Sequence, residues 1–278
     1  MEFVATKQES SIFMIGSCVS NDILSSSVFS IGSCVTELCS EEKTEEEPMP
    51  KLNLEASRNW IVDQRFASER NTQNPYFSGP TLESNWLIRK SHGSFALGAF
   101  ALGAFAVGGY PDKPNYFENL KSAGLDTFVC LNSEYGFWSK GDYYPKYGET
   151  LPKDRFILEP IEDMQTVDDR IIVDLAKEIV RRIKTGENVY LHCAGGHGRT
   201  GTVAIVVLHM LYPDLTYMEL FEYVQYAHDQ RKGNYFGNRT FVYKMVDDHL
   251  AYKFVEGQVP SPQTIAQRTQ VRQIISRM

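Results

Sequence analysis

Between Val189 and Val207 the sequence reads VYLHCAGGHGRTGTVAIVV, a cysteine, a run of glycines and an arginine set between two apolar stretches. NVYLHC, ending at Cys193, has the character of a strand, and TGTVAIVVLHML is a helix apolar on all sides, stopped by Pro213. The cysteine is therefore delivered to a loop that runs straight into a helix N-terminus, where unpaired backbone N–H groups and the helix dipole favour an anion. Gly195, Gly196 and Gly198 permit backbone angles forbidden to other residues, so several amides can converge. Arg199 adds a planar fork that matches two oxygens of a phosphate. The same field favours a thiolate at Cys193. A nucleophile and an oxyanion cradle, built from Ala194, Gly195, Gly196, His197, Gly198 and Arg199, thus share one loop. That combination suits phosphoryl transfer to sulfur.

Three other readings compete. GHGRTG, Gly196–Gly201, also fits the dinucleotide fingerprint G-x-G-x-x-G, but the acid-ended strand that should follow is replaced by the helical LYPDLTYMELFEYV. Cys193 as an inert buried thiol leaves the neighbouring glycines and arginine unused. A phosphate-binding module without catalysis would keep the cradle and dispense with an acid. Attack by sulfur expels an alkoxide or phenoxide, which a positioned acid should protonate. Glu159, Glu162, Asp163, Asp168 and Asp169 are the upstream candidates. Asp168 and Asp169 already have a role in capping the helix that follows. Asp163 lies in a loop just after a strand and a proline, with no such role.

HCAGGHGRTG resembles the signature H-C-x5-R-[ST] of the cysteine-dependent protein tyrosine and dual-specificity phosphatases. It is especially similar to the form found in kinase-associated and other atypical dual-specificity members, over roughly Asn85 to Tyr212. The resemblance implies a three-layer α/β fold, a phosphocysteine at Cys193, phosphate binding by Arg199 and the loop amides, and a supporting role for His192. It also implies that the Thr200 hydroxyl eases departure of the thiolate, and that no metal or other cofactor takes part. Pro160-Ile161-Glu162-Asp163 matches the family's P-I-x-D pattern and makes Asp163 the expected acid. Gln263 and Gln267, in SPQTIAQRTQV, are similar to the loop that positions water in tyrosine-specific members; a polar helix start is the plainer alternative. The implied substrate is a phosphoprotein, phosphotyrosine first, with phosphoserine and phosphothreonine left open. An inositol phosphate or phosphoinositide phosphatase and a catalytically silent phosphoprotein-binding module are the rivals. His197, at a variable position of the signature, either carries part-time charge near neutral pH, points to solvent or packs on the aromatic loop. The aromatic loop with Tyr135, Phe137, Trp138, Tyr143, Tyr144 and Tyr147 either lines the cleft or packs.

The elements that must hold this loop can be followed along the chain. AFAVGGYP reads as a buried strand ended by a turn, NYFENLKSAG as a short helix, and DTFVCLN and RFILEP as strands. Asp168 to Lys184 is an amphipathic helix with Ile171, Leu175, Ile179 and Ile183 four apart. Further helices are expected over Tyr217–Gln230, Arg239–Lys253 and Thr264–Arg277. Strands alternating with helices predict a mostly parallel sheet covered on both faces, with ligands at the carboxyl ends of its strands.

The chain of 278 residues, 42% hydrophobic and 12% aromatic, can bury a sizeable core. Residues 1–55 read as a mobile extension with a repeated phrase (SIFMIGSCV, SVFSIGSCV) and an acidic run, 56–79 as a linker and 80–278 as the catalytic domain. The tandem ALGAF before the first strand suggests a bulge or slipped register. A net charge of −7 argues against nucleic acid as a partner, and no stretch is long enough for stable membrane insertion. Five cysteines without a C-x-x-C pair fit a reducing, cytoplasmic setting and leave no zinc framework. Nothing in the sequence reports an oligomeric state.

Overall fold

The structure, a computed structural model, describes residues 49–55, 75–89, 102–133, 146–231, 244–245, 252–253 and 259–278. Along these the chain forms β1 (Ser84–Ile88), β2 (Phe105–Gly108), α1 (Tyr116–Ser122), β3 (Thr127–Asn132) and β4 (Phe156–Ile161). It continues with α2 (Asp169–Lys184), β5 (Val189–His192), α3 (Gly198–Leu211) and α4 (Tyr217–Asp229). A two-residue ladder of β6 (Lys244–Met245) and β7 (Tyr252–Lys253) precedes α5 (Ile265–Ser276).

The main sheet has the order β1-β2-β5-β3-β4, parallel except for β1, which pairs antiparallel with β2. This is the mostly parallel, helix-covered sheet expected from the alternation of elements. Side chains alternate across the sheet. Phe105, Val107, Val129, Leu131, Val189 and Leu191 point into the larger core, against α2, α3, α4 and α5. Ala106, Phe128 and Tyr190 point to the other face, beneath α1. Helix α3 is buried along nearly its whole length, with Val203, Ala204, Ile205, Val206, Val207 and Leu208 fully enclosed. At about 1.5–3 kcal/mol for each fully buried aliphatic side chain, this helix is a main prop of the fold. β5 lies at the centre of the sheet and α3 in the middle of the core, so the loop between them is held at both ends.

Three local expectations need correction. On α2 it is Ile172, not Ile171, that joins Leu175, Ala176, Ile179 and Ile183 in the core, while Ile171 stays exposed. Each four-residue step overshoots a 3.6-residue turn by about 40°, so a strict spacing of four drifts off the buried face. The segment Arg239–Lys253, expected as a helix, carries strands: Lys244 pairs with Lys253 and Met245 with Tyr252, antiparallel. Tyr252, an aromatic residue, suits a pleated ladder better than a helix. β1 was not expected as a strand, because SNWLI is buried at every position and shows no alternation. The first ALGAF copy, Ala96–Phe100, and residues 1–48 lie outside the described residues. Met49, Leu52 and Leu54 pack against the larger core, and Pro50 O accepts a hydrogen bond from the Tyr212 hydroxyl at 2.7 Å. No helix among the described residues is long and apolar enough to cross a membrane.

Candidate active site

Cys193 follows β5 directly and is buried, with α3 starting five residues later. The loop between them is shaped by its carbonyls, each of which is held from outside. Ala194 O accepts from Tyr110 N at 2.9 Å, and His197 O accepts from Ser261 Oγ at 3.0 Å and from Gly201 N at 2.9 Å. The buried guanidinium of Arg231 donates to Gly195 O at 3.1 Å and to Gly196 O at 2.9 Å, and its Nε donates to Asn85 Oδ1 at 2.8 Å. In a trans peptide the carbonyl and the following N–H point opposite ways. Holding the carbonyls of residues 194 to 197 outward therefore turns the N–H groups of Gly195, Gly196, His197 and Gly198 to the inner side. The first-turn amides of α3 have no intrahelical partner and extend the same set. Gly196 sits at φ 70°, and any side chain there would collide with the Gly108 backbone at the end of β2, so the position requires glycine.

Arg199, in the first turn of α3, is buried and oriented by two partners: Nη1 donates to Ile161 O at 3.0 Å, and Nη2 pairs with Asp163 Oδ1 at 2.9 Å. Asp163 is 61% exposed, so the acid candidate stands at the solvent edge of the clamp that the arginine forms. Asp168 instead caps α2, accepting from Arg170 N at 2.9 Å, and Asp169 binds Gln270 and Arg277. Asp168 thus keeps the capping role expected of it, and Asp169 stands in the first turn of α2 while also tying it to α5. Thr200 Oγ1 is buried without a hydrogen-bond partner among the described residues.

His192 lies under the loop. Tyr147 O–H bonds its Nε2, and its Nδ1 faces Cys193 O at 3.4 Å. Because a carbonyl can only accept, Nδ1 carries the proton and Nε2 receives the tyrosine hydroxyl. Burial pushes the His192 pKa down to about 3, so the imidazole is neutral. Tyr147 is itself buried among Tyr110, Phe117, Phe128 and Phe156, which makes it a packing residue. Tyr135, Phe137, Trp138, Tyr143 and Tyr144 of the aromatic loop lie outside the described residues.

Of the readings open for His197, part-time charge is not the one the structure supports: the ring packs, but on His228. Its Nδ1 lies 2.6 Å from His228 Nε2, and burial, reinforced by His228 and Arg231, holds its pKa well below the usual imidazole range. Gln267 forms a capping box with Thr264 at the start of α5, as a polar helix start would. It also lies against the site: a Cβ on Gly198 would be 2.7 Å from Gln267 Oε1 and 3.1 Å from Gln263 Cβ. Gln267 Nε2 donates to Gln165 O at 3.2 Å, two residues beyond Asp163. Sequence reasoning missed Arg231, Ser261 and Tyr110. Arg231 follows α4 in AHDQRKG, where a basic residue reads as an ordinary complement to the helix dipole. Among the described residues no cluster of histidine, cysteine or carboxylate side chains is arranged to hold a metal ion.

Residues 100–227, just under half of the chain, match the family model described as Swiss Army Knife protein, DSP-PTPase phosphatase domain. The protein 067L of Invertebrate iridescent virus 3, whose name proposes a tyrosine phosphatase, is 36% identical over 106 residues, covering 37% of this chain and 41% of the viral one. Among solved structures, the active form of Tk-PTP is 19% identical, with a TM-score of 0.42 over 64% of this chain and 93% of that one. Kinase associated phosphatase, crystallised with serine replacing its catalytic cysteine, is 18% identical, with a TM-score of 0.44 over 63% of this chain and 86% of that one. Residues 100–227 are thus similar to the DSP-PTPase phosphatase domain family.

Proposed function

We propose that this chain is a protein phosphatase that hydrolyses phosphotyrosine esters, with phosphoserine and phosphothreonine as further candidates, through a phosphocysteine intermediate. One observation carries the reading: the outward-held carbonyls turn a set of amides inward, in the same loop as Cys193 and next to the Arg199–Asp163 pair. A ring of fixed donors of this kind stabilises the charge that builds on the equatorial oxygens during transfer. The family match and the name of the viral relative support the same chemistry.

In the first step Cys193 thiolate attacks phosphorus, the P–O ester bond breaks, and the Asp163 carboxyl gives its proton to the departing oxygen. Arg199 and the loop amides bind the phosphoryl oxygens throughout. In the second step water attacks the phosphocysteine, Asp163 carboxylate takes the water's proton, and the P–S bond breaks. The Thr200 hydroxyl, buried with no other partner among the described residues, is free to donate to the departing thiolate. His192 holds the Cys193 carbonyl, and Gln263 and Gln267 are candidates to orient the water.

Wild type and Cys193→Ser should be compared on an aryl phosphate in the presence of a chelator, with acid quenching to trap the intermediate. Wild-type turnover with phosphate on the Cys193 peptide, both lost in the serine variant, is the expected result. Turnover surviving in Cys193→Ser would place the nucleophile elsewhere.

A further inference from the structure

Behind the phosphate loop runs a chain of buried polar side chains that the proposed reaction does not use. Its direction can be read from one end. Ser261 N–H can only donate, and it reaches Gln225 Oε1 at 2.6 Å, which fixes the Gln225 amide. Gln225 Nε2 therefore faces Asp229 Oδ1 at 3.1 Å. The same Asp229 oxygen lies 3.1 Å from His228 Nδ1, so that nitrogen carries a proton. Burial, aided by Arg231, holds the His228 pKa well below the usual imidazole range, so its other nitrogen, Nε2, is a bare acceptor. That acceptor lies 2.6 Å from His197 Nδ1, which must then be the donor. The last atom of the chain, His197 Nε2, is left as a lone pair. It has no partner among the described residues, and it lies beside the exposed backbone of Gly195, 2.6 Å from where a Cβ on that glycine would be. Asp229, His228 and the Arg231 guanidinium are the charged and titratable groups around this imidazole.

We infer that His197 is a specificity-determining residue at the rim of the cleft and that His228 and Asp229 are its positioning residues. Building on the phosphatase reading above, the fixed tautomer presents a neutral hydrogen-bond acceptor next to the phosphate position. A phosphate flanked by donors, such as the backbone N–H groups of a phosphopeptide, is welcomed there. An ester with a second anionic group beside the first meets a lone pair and is turned away. The substrate class this selects is a single phosphate on a polypeptide, against polyols with adjacent phosphates.

Two measurements test this, one independent of turnover. Long-range nitrogen–proton correlation on the histidine-labelled chain near neutral pH should show both His197 and His228 protonated at Nδ1, the form a free imidazole adopts less often. His197 protonated at Nε2 would overturn the inference. In the Cys193→Ser background, binding of a phosphotyrosyl peptide and of an inositol bisphosphate with adjacent phosphates gives a preference ratio. That ratio should favour the peptide and should fall about tenfold in His228→Phe, the scale of one hydrogen bond to a charged partner. His228→Gln, which keeps an acceptor for His197 Nδ1, should restore most of it. An unchanged ratio in a folded His228→Phe, or a Gln variant that behaves like Phe, would sink the specificity role. Failure of wild type to turn over an aryl phosphate would instead sink the phosphatase reading, leaving the tautomer and the binding ratio to be decided separately.

Discussion

Replacing Arg231 should uncouple the phosphate loop from the rest of the fold, although Arg231 makes no contact with substrate in the proposed reaction. Its guanidinium is buried and donates to Gly195 O, Gly196 O and Asn85 Oδ1. Burial lowers its pKa to about 10, so it is protonated at neutral pH and its bonds are charge-assisted. Arg231→Met leaves three acceptors without this donor, two of them buried, and the expected loss is about 3–5 kcal/mol of stability, at about 1–3 kcal/mol for each buried acceptor left unsatisfied. Arg231→Lys is the more informative change. It keeps the charge but replaces a fork with a single ammonium, which cannot hold two consecutive carbonyls at once. The expected loss is about 1–2 kcal/mol of stability. The N–H groups of Gly196 and His197 then lose their fixed orientation, and loss of one such donor costs about a hundredfold to a thousandfold in turnover. Urea unfolding gives the first quantity. Single-turnover cleavage of an aryl phosphate gives the second, and vanadate, as a mimic of the trigonal transition state, should bind correspondingly more weakly. A Lys variant that stays within about 0.5 kcal/mol of wild type and keeps its turnover would refute the idea that outward-held carbonyls organise the cradle.

Asp163→Asn should reduce turnover of a phosphotyrosine ester about a hundredfold to ten-thousandfold while sparing esters whose leaving group needs no proton; a loss equal for both would deny Asp163 the role of acid. Thr200→Val removes a buried hydroxyl with no partner among the described residues, so the fold should be as stable as wild type or slightly more so. Its phosphocysteine should nevertheless accumulate, seen as a burst of the first product followed by slow turnover. His192 is held neutral, with its pKa taken by burial from 6.5 down to about 3. The unfolded chain therefore gains a proton that the folded chain refuses as pH falls below 6.5, and this residue alone should cost about 1.4 kcal/mol per pH unit across that window, with no effect above it. Urea midpoints that do not change between neutral pH and pH about 5 would show that His192 is not buried neutral.

What could be read from the sequence follows from how locally each feature is encoded. Cys193, Arg199 and the glycines between them are contiguous, so their chemistry could be proposed from one loop, and Pro160–Asp163 was equally compact. The strand ahead of the loop and the all-apolar α3 behind it announced themselves by composition. β1 did not, since alternation marks a strand only when one face meets water, and Ser84 and Asn85 are both fully enclosed. Ser84 is satisfied by Thr81, and Asn85 Oδ1 accepts from Arg231. His197 could not be decided for a related reason: a histidine in a loop looks titratable until the partner that keeps it neutral is known, and His228 lies 31 residues away.

The same distance rule explains why the geometry of the cradle belongs to the fold and not to the loop. The outer ties on the four carbonyls come from Tyr110 beyond β2, Arg231 beyond α4 and Ser261 ahead of α5, three separate regions of the chain. An isolated peptide spanning Cys193–Arg199 has the residues of the cradle, but its amides are free to turn outward, and ordering each residue would cost about 1–2 kcal/mol. In the folded protein that cost is met during folding, by bonds on the side of the loop that substrate never touches. Substitutions at Tyr110, Arg231 and Ser261 should therefore resemble one another, in weakened binding of phosphate and vanadate alike, more than they resemble substitutions of the residues that touch the phosphate. Each leaves Cys193, Arg199 and Asp163 in place and loosens the amides between them.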